Sequence, residues 1–230
     1  DDQSYALNSD YKRINARLRA DQKFGDFLEI SNTLAYNYDI TNNAGNVSSS
    51  SSQFWWVNNL PPIYPLFLRD ENGQKIEDPI YGGFLYDYGL QRGFGPLTNG
   101  VADSFLDVNR TKAHAINFNQ DLKINILNGL TFDNNTAVQY TMSNYDNLDE
   151  PFYSPAKGAA GSIFKSKSQT VNYSVRTGLR FEKDFNEFTT NLFVSHKFQK
   201  YENNFLSAAM NNLVRPDGLE LDNEVVLPYN

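Results

Sequence analysis

The sequence has no cysteine and only two histidines in 230 residues. Without cysteine there are no disulfides, thiolate metal centres or cysteine nucleophiles. His114 and His196 fall on different expected hairpins, so a shared metal site is not expected. No G-x-S-x-G elbow is present, and nothing singles out a carboxylate pair for acid–base work. The reading is therefore non-enzymatic, with no catalytic residue, metal or cofactor. A long apolar run is also missing: charged residues make up 20% of the chain and the mean hydropathy is -0.55. No window approaches the roughly 18 apolar residues of a membrane-spanning helix, which leaves membrane-spanning strands open. Nor is there an excess of base. A net charge of -7 argues against a nucleic-acid partner, which needs a basic surface. The chain opens Asp1-Asp2-Gln3, with no Met and no basic or apolar leader, and reads as a processed product or a piece.

What is present is alternation. From Ile14, the even positions Ala16, Leu18, Ala20 and Phe24 are apolar or small, with Gln22 the exception. The odd ones are Arg13, Asn15, Arg17, Arg19, Asp21 and Lys23. The pattern resumes with Leu28, Ile30, Leu34, Tyr36, Tyr38 and Ile40 against Glu29, Ser31, Thr33, Asn37 and Asp39. A period of two places each set on one face of a strand, and the short Gly25-Asp26-Phe27 connection makes an antiparallel hairpin. Facing positions then sum to an even number, which sets Lys23 opposite Glu29. A second hairpin spans Lys112 to Asn144 around a three-residue turn, Leu127-Asn128-Gly129, with Lys123 opposite Asp133. A third spans Ser168 to Tyr201, where parity allows a two- or four-residue turn.

Between them lie long loops, about 42–111, 145–167 and 202–230. Residues 1 to 10 read as a polar lead-in. The first loop carries the breakers Asn42 to Gly45 and the serine run 48–52. A short helix is expected over Gln53 to Leu60, closed by Pro61-Pro62. A turn at Asp70-Glu71-Asn72-Gly73 should join a small hairpin, and a Gly-rich tail runs to Asn109.

One greasy and one ionic face suits a barrel wall, apolar toward lipid and polar toward the lumen. The fold expected is all-β: an antiparallel transmembrane β-barrel segment of about six long strands in three hairpins, residues 1–230 forming one partial barrel. Short turns belong at the periplasmic rim and long loops outside, with aromatics near both rims. Six strands do not close such a barrel, because open edges in hydrocarbon are costly.

The residues resemble a family. Asp10-Tyr11-Lys12-Arg13-Ile14-Asn15-Ala16-Arg17-Leu18, Pro61 to Phe67 ahead of Asp70-Glu71-Asn72-Gly73, Asn128-Gly129-Leu130-Thr131-Phe132 and Tyr153-Ser154-Pro155 with Gly158 and Gly161 are similar to an internal barrel segment of SusC/RagA-like TonB-dependent outer-membrane transporters. Ser195-His196-Lys197 departs from the Gly-His-Glu common there. The resemblance implies nutrient import of oligosaccharide or oligopeptide across the outer membrane and contact with its lipid. It also implies a SusD/RagB-like surface lipoprotein as partner. The TonB complex would engage through a plug and TonB box that have no counterpart in this chain.

Trp55, Trp56, Tyr64 and Tyr86 in the first long loop are the candidate ligand-binding residues, since flat rings with polar edges stack on sugars or peptide groups. The plainer alternative is that they pin the loop into the barrel mouth or against a partner. The arginines facing the lumen either guide an anionic substrate or pair with plug carboxylates, and the second is favoured because buried charges need partners. Asp70, Glu71, Glu77 and Asp78 lack the ligand spacing of a calcium loop. The competing function is a soluble β-rich carbohydrate-binding module or secreted glycosidase. In that case Leu18, Ile30, Phe118, Ile124, Val175 and Leu192 would pack on a second sheet.

Overall fold

The computed structural model describes residues 2–3, 5–43, 50, 52–93, 95–153, 157–158, 160–215 and 218–221. Seven strands form one sheet in sequence order: β1 (Asp2–Gln3), β2 (Asp10–Phe24), β3 (Leu28–Asn42), β4 (Val108–Leu127), β5 (Leu130–Asp149), β6 (Ser162–Phe185) and β7 (Phe188–Asn211). Every neighbouring pair is antiparallel. The sheet does not close on itself. Six of the strands are long and arranged as the three expected hairpins, so the fold is all-β and fits part of a barrel.

The register follows from the alternation. Phe24 pairs with Leu28 across Gly25-Asp26-Phe27, and Lys23 pairs with Glu29. Their side chains meet at 3.3 Å. Gly25 takes φ 54°, a conformation a residue with Cβ rarely adopts. In the second hairpin Lys123 does oppose Asp133, but the turn is tighter than expected. Leu127 pairs with Leu130, leaving a two-residue Asn128-Gly129 turn, and the register shifts between Asn125 and Leu127. The third residue of the expected turn is thus replaced by a bulge at the strand end, the usual companion of an αL glycine. In the third hairpin Phe185 pairs with Phe188, which selects the two-residue turn, and their rings stack at 5.0 Å.

The strands run further than the alternation alone suggested. Residues 145–149, 162–167 and 202–211, expected as loop, continue β5, β6 and β7, and β4 begins at Val108 rather than near 112. These stretches are rich in Asn, Asp, Ser and Lys, so their polar composition hid a ladder fixed by the neighbouring strand's backbone. The lead-in likewise contributes β1, which pairs Asp2 with Tyr11. Asn42-Asn43 is the end of β3 and its first step out; Ala44 and Gly45, most of the serine run, Pro155 and Pro216-Asp217 lie outside the described residues.

Because the register never slips by one on the wall, each outward row stays outward across all six long strands. One row reads Leu18, Leu34, Phe118, Val138, Tyr173 and, at its far end, Lys200; another reads Phe24, Leu28, Ile124, Phe132, Leu179, Val194. No second sheet covers them among the described residues. Ile14 is 65% exposed, Leu34 46%, Ile116 42% and Val194 75%. A sandwich would have buried these side chains at about 10 Å from a facing sheet. The opposite face carries the ions and encloses a cavity of about 740 Å³ lined by Arg19, Lys23, Asp121, Asp133, Arg176 and Arg180 among others, so the ionic face is the concave one.

The small buried apolar cluster sits at the loop end. Leu148, Ile163 and Met210 pack with Leu213, and Val108 and Leu219 lie against them. The segment after β7 folds back over this patch, tied by the Leu213 N–H to the Ala160 carbonyl at 2.8 Å.

Gly129 is the backbone position the fold tolerates least. Its φ is 87°, and a Cβ there would lie 2.3 Å from the Glu182 carbonyl oxygen of β6. Gly129→Ala should therefore lower assembled barrel by the equivalent of at least about 1 kcal/mol. Gly93→Ala, with no atom in reach of the new methyl, should be near neutral. Folded fraction on semi-native electrophoresis checks both.

Candidate functional site: the long loop and the concave face

The first long loop is ordered by buried polar side chains rather than by an apolar core. Ser52 caps α1 (Gln53–Asn59), accepting from the Phe54 N–H, and Leu60 closes it ahead of Pro61-Pro62, as expected. A second helix, α2 (Gly100–Leu106), was not foreseen. Its signal was Asn99, an N-cap residue whose side chain accepts from Val101 and Ala102 N–H. The Gly-rich stretch before it masked that signal. Fully buried Asn99 also donates to the carbonyls of Leu66 and Asp87 at 3.1 Å, so one amide joins α2 to the 66–87 segment. Gln53 reaches the Leu7 backbone at 2.9 Å through both ends of its amide and donates to Ser104.

Residues 66–87 form a small three-stretch meander. Leu68 N–H donates to Leu85, Leu85 to Ile76 and Ile76 to Leu68. The expected turn at Asp70 is present, its carboxylate accepting from Asn72 and Gln74 N–H, so that acid caps a turn. Lys75 sits over the rings of Phe67 and Phe84 at 4.9 and 4.8 Å.

The candidate ring residues separate. Tyr86 leans on Phe67 at 5.0 Å and lines an apolar cavity of about 410 Å³ with Leu68, Leu85, Tyr88, Leu90, Leu97 and Tyr153, with Lys157 at its wall. Trp55 and Trp56 lie half-buried on α1, and Tyr64 follows the proline pair; none of the three lines this cavity. Tyr88 and Tyr153, which sequence reasoning did not select, do. Tyr153 comes from the second loop, a tertiary contact no local pattern encodes.

Beneath the cavity is a buried acidic network. Tyr88 Oη donates to Asp103 at 3.0 Å, Tyr81 Oη to Glu150 at 2.9 Å and Tyr153 Oη to Asp78 at 2.8 Å. Asp107 accepts from Glu150 N–H. Burial, with neighbouring acids adding repulsion, pushes the Asp103 carboxyl up to about 7 and that of Asp107 up to about 8. Desolvation and the adjacent carboxylates also raise the three phenols, which remain hydrogen-bond donors.

On the concave face the sequence placed Arg13, Arg17, Arg19, Lys23, Arg176 and Arg180. Three of them meet carboxylates of this sheet: Arg19 with Asp21 at 3.0 Å, Lys23 with Glu29 and Arg180 with Asp133 at 3.9 Å. Arg13 binds the amides of Asn15 and Asn37. Asp133 is thus taken by Arg180 although Lys123 stands opposite it. Arg176 and Lys197 are direct cross-strand partners of like charge, with no carboxylate on either among the described residues.

Acids raised in the folded state bind protons more tightly there than when unfolded, so their stabilisation is complete below about pH 4 and is lost as pH climbs to about 8. Amide exchange in 99–107 and 150–153 should therefore slow as pH falls from 8 to 5, after correction for intrinsic rates. Asp103→Asn should flatten much of that dependence.

No family model matches the chain, and no curated protein matches it. Solved structures do. The RagAB peptide importer in its open-open state superposes with a TM-score of 0.71 at 18% identity, covering 94% of this chain. Another structure of the RagAB peptide transporter gives a TM-score of 0.73, again at 18% identity over 94%. This chain spans 23% of the length of each of those chains. The fold expected from the resemblance to SusC/RagA-like transporters is the fold found.

Proposed function

We propose that this chain is an arc of barrel wall, with its gating or binding loop, from an energised outer-membrane importer of oligopeptides. The observation that carries the reading is the exposed, mostly apolar face of the sheet backed by a concave ionic one. The similarity to RagAB structures supports it at the level of fold. In this reading the short turns are periplasmic and the long loops extracellular. A SusD/RagB-like lipoprotein covers the loop side, and the TonB complex acts through a plug that this chain does not contain. The chain does no chemistry of its own.

Wall dimensions agree. On β7 the outward residues stay mostly apolar from Phe188 to Phe198, and on β2 from Phe24 to Ile14. Each is 11 residues, which at about 3.4 Å per residue and a tilt near 45° gives a band of roughly 26 Å. Of the two substrate classes, the cavity beside Tyr86 favours a peptide. Its leucine walls suit an apolar side chain, and the rings of Tyr86, Tyr88 and Tyr153 can stack on the peptide groups beside it. The carboxylate pairings of Arg19, Lys23 and Arg180 make those cations structural. Arg13, Arg17, Lys123, Arg176 and Lys197, with no carboxylate partner among the described residues, are the ones left to meet acid from a plug or a substrate.

Val138→Arg places a charge mid-wall on the outward face, and Gln139→Arg places the same charge on the concave one. The first should reduce barrel assembly in the intact transporter by roughly 2–4 kcal/mol and the second by far less, read as heat-modifiable band in isolated outer membranes. Equal tolerance of both would sink the membrane reading. With assembly intact, Tyr86→Ala should weaken binding of apolar peptides about ten-fold, whereas Trp55→Ala should leave it within two-fold; titration calorimetry with peptide and oligosaccharide panels decides the class.

A further inference from the structure

The outward apolar band does not fade at its loop-side edge. On β2, β4 and β6 it gives way to a row of lysines, whereas on β7 it already ends at Phe198, with the paired Lys200 and Glu202 above it. Lys12 of β2, Lys112 of β4 and Lys167 of β6 occupy a single register row, linked through Ile40 and Asn144: Lys12 to Ile40, Ile40 to Lys112, Lys112 to Asn144, Asn144 to Lys167. All three have outward parity. They sit on alternate strands, so neighbours in the row are about 10 Å apart. None of the three lysines has a carboxylate partner among the described residues. The next row up behaves differently. There Arg110 and Lys165 share Asp146 at 3.3 and 3.6 Å, and Lys165 also reaches Glu220.

The row beneath is an interfacial one. Tyr38 stacks on His114 at 4.6 Å, and the Tyr36 hydroxyl meets His114 Nδ1 at 2.8 Å. Ile14 shares that row with Tyr38 and His114, and below it Ile116 and Leu34 continue the exposed apolar surface. Greasy wall, then amphipathic rings, then unneutralised ammonium groups is the order in which a lipid presents acyl chain, glycerol level and phosphate. A soluble anion would need only the lysines, and would gain nothing from the rings and wall under them.

We propose that Lys12, Lys112 and Lys167 form a binding row for the phosphates of net-anionic lipid headgroups at the loop-side edge of the wall. This rests on the barrel-wall reading above. Three separated point charges at fixed spacing select a multiply phosphorylated or clustered anionic headgroup over a zwitterionic one. Long lysine stems lie along the wall while their heads stay at the polar level.

The test uses the intact transporter in nanodiscs of equal phosphatidylglycerol and phosphatidylcholine, with headgroup enrichment beside the protein read by spin-labelled lipids. The wild type should enrich phosphatidylglycerol. Combined Lys12→Gln, Lys112→Gln and Lys167→Gln should lower that enrichment roughly ten-fold, while the three Arg replacements keep it. Lys183→Gln, on the outward face at the opposite end of the wall, should change nothing. Unchanged enrichment in the triple Gln variant, or lysine-dependent binding of inorganic phosphate without headgroup preference, overturns the inference and leaves the wall reading intact. Failure of the wild type to enter the discs removes both.

Discussion

Everything in this structure depends on the register holding across five consecutive ladders. A strand's side chains alternate with period two, so one slipped residue would turn a greasy face into an ionic one. The hydrogen-bonded rows show no such slip across the wall; the single shift falls beside the Asn128-Gly129 turn, where it re-aims only the strand end. Continuity of this kind gives the sheet one mostly apolar surface and one ionic surface. It also lines the exposed leucines and valines up in rows that no second sheet covers among the described residues.

The long loop obeys a different logic. Its order comes from Asn99, Gln53, Asp78 and Glu150 satisfying backbone and phenol donors from distant stretches. Buried polar networks fix a single arrangement when complete and are costly when broken. Such a loop is held in shape yet stays sensitive to its surroundings, because burial raises the carboxyls of Asp103 and Asp107 in the same network.

The wall was legible in the sequence because its chemistry is periodic. Arg13 to Lys23 against Ile14 to Phe24 settles both the strand and the side that faces polar surroundings, and parity alone put Lys23 opposite Glu29. Strand ends were less legible. Tyr145 to Asp149 has the polar composition of a loop and Glu202 to Asn211 lacks a clean alternation, and both are strands because a neighbour's backbone is waiting. The site was half legible. Tyr86 could be chosen for its ring, but Tyr88 and Tyr153 join it through folding of two loops separated by the whole second hairpin. Pairings such as Arg180 with Asp133 were hidden for the same reason: they cross between hairpins, and within-hairpin parity says nothing of them.

The paired strands lengthen stepwise, from 15 residues in β2 and β3 to 20 in β4 and β5 and 24 in β6 and β7. Their loop-side ends stay nearly in register, with Asp10, Asn42, Arg110, Asp146, Lys165 and Ala208 in one row. Measured from the turns, that row lies 14 residues up at Asp10 of β2 and 20 residues up at Ala208 of β7, so it climbs by about 20 Å of strand length over the arc. The loop-side rim of the sheet is then a lopsided parapet, high behind the third hairpin and low beside the first.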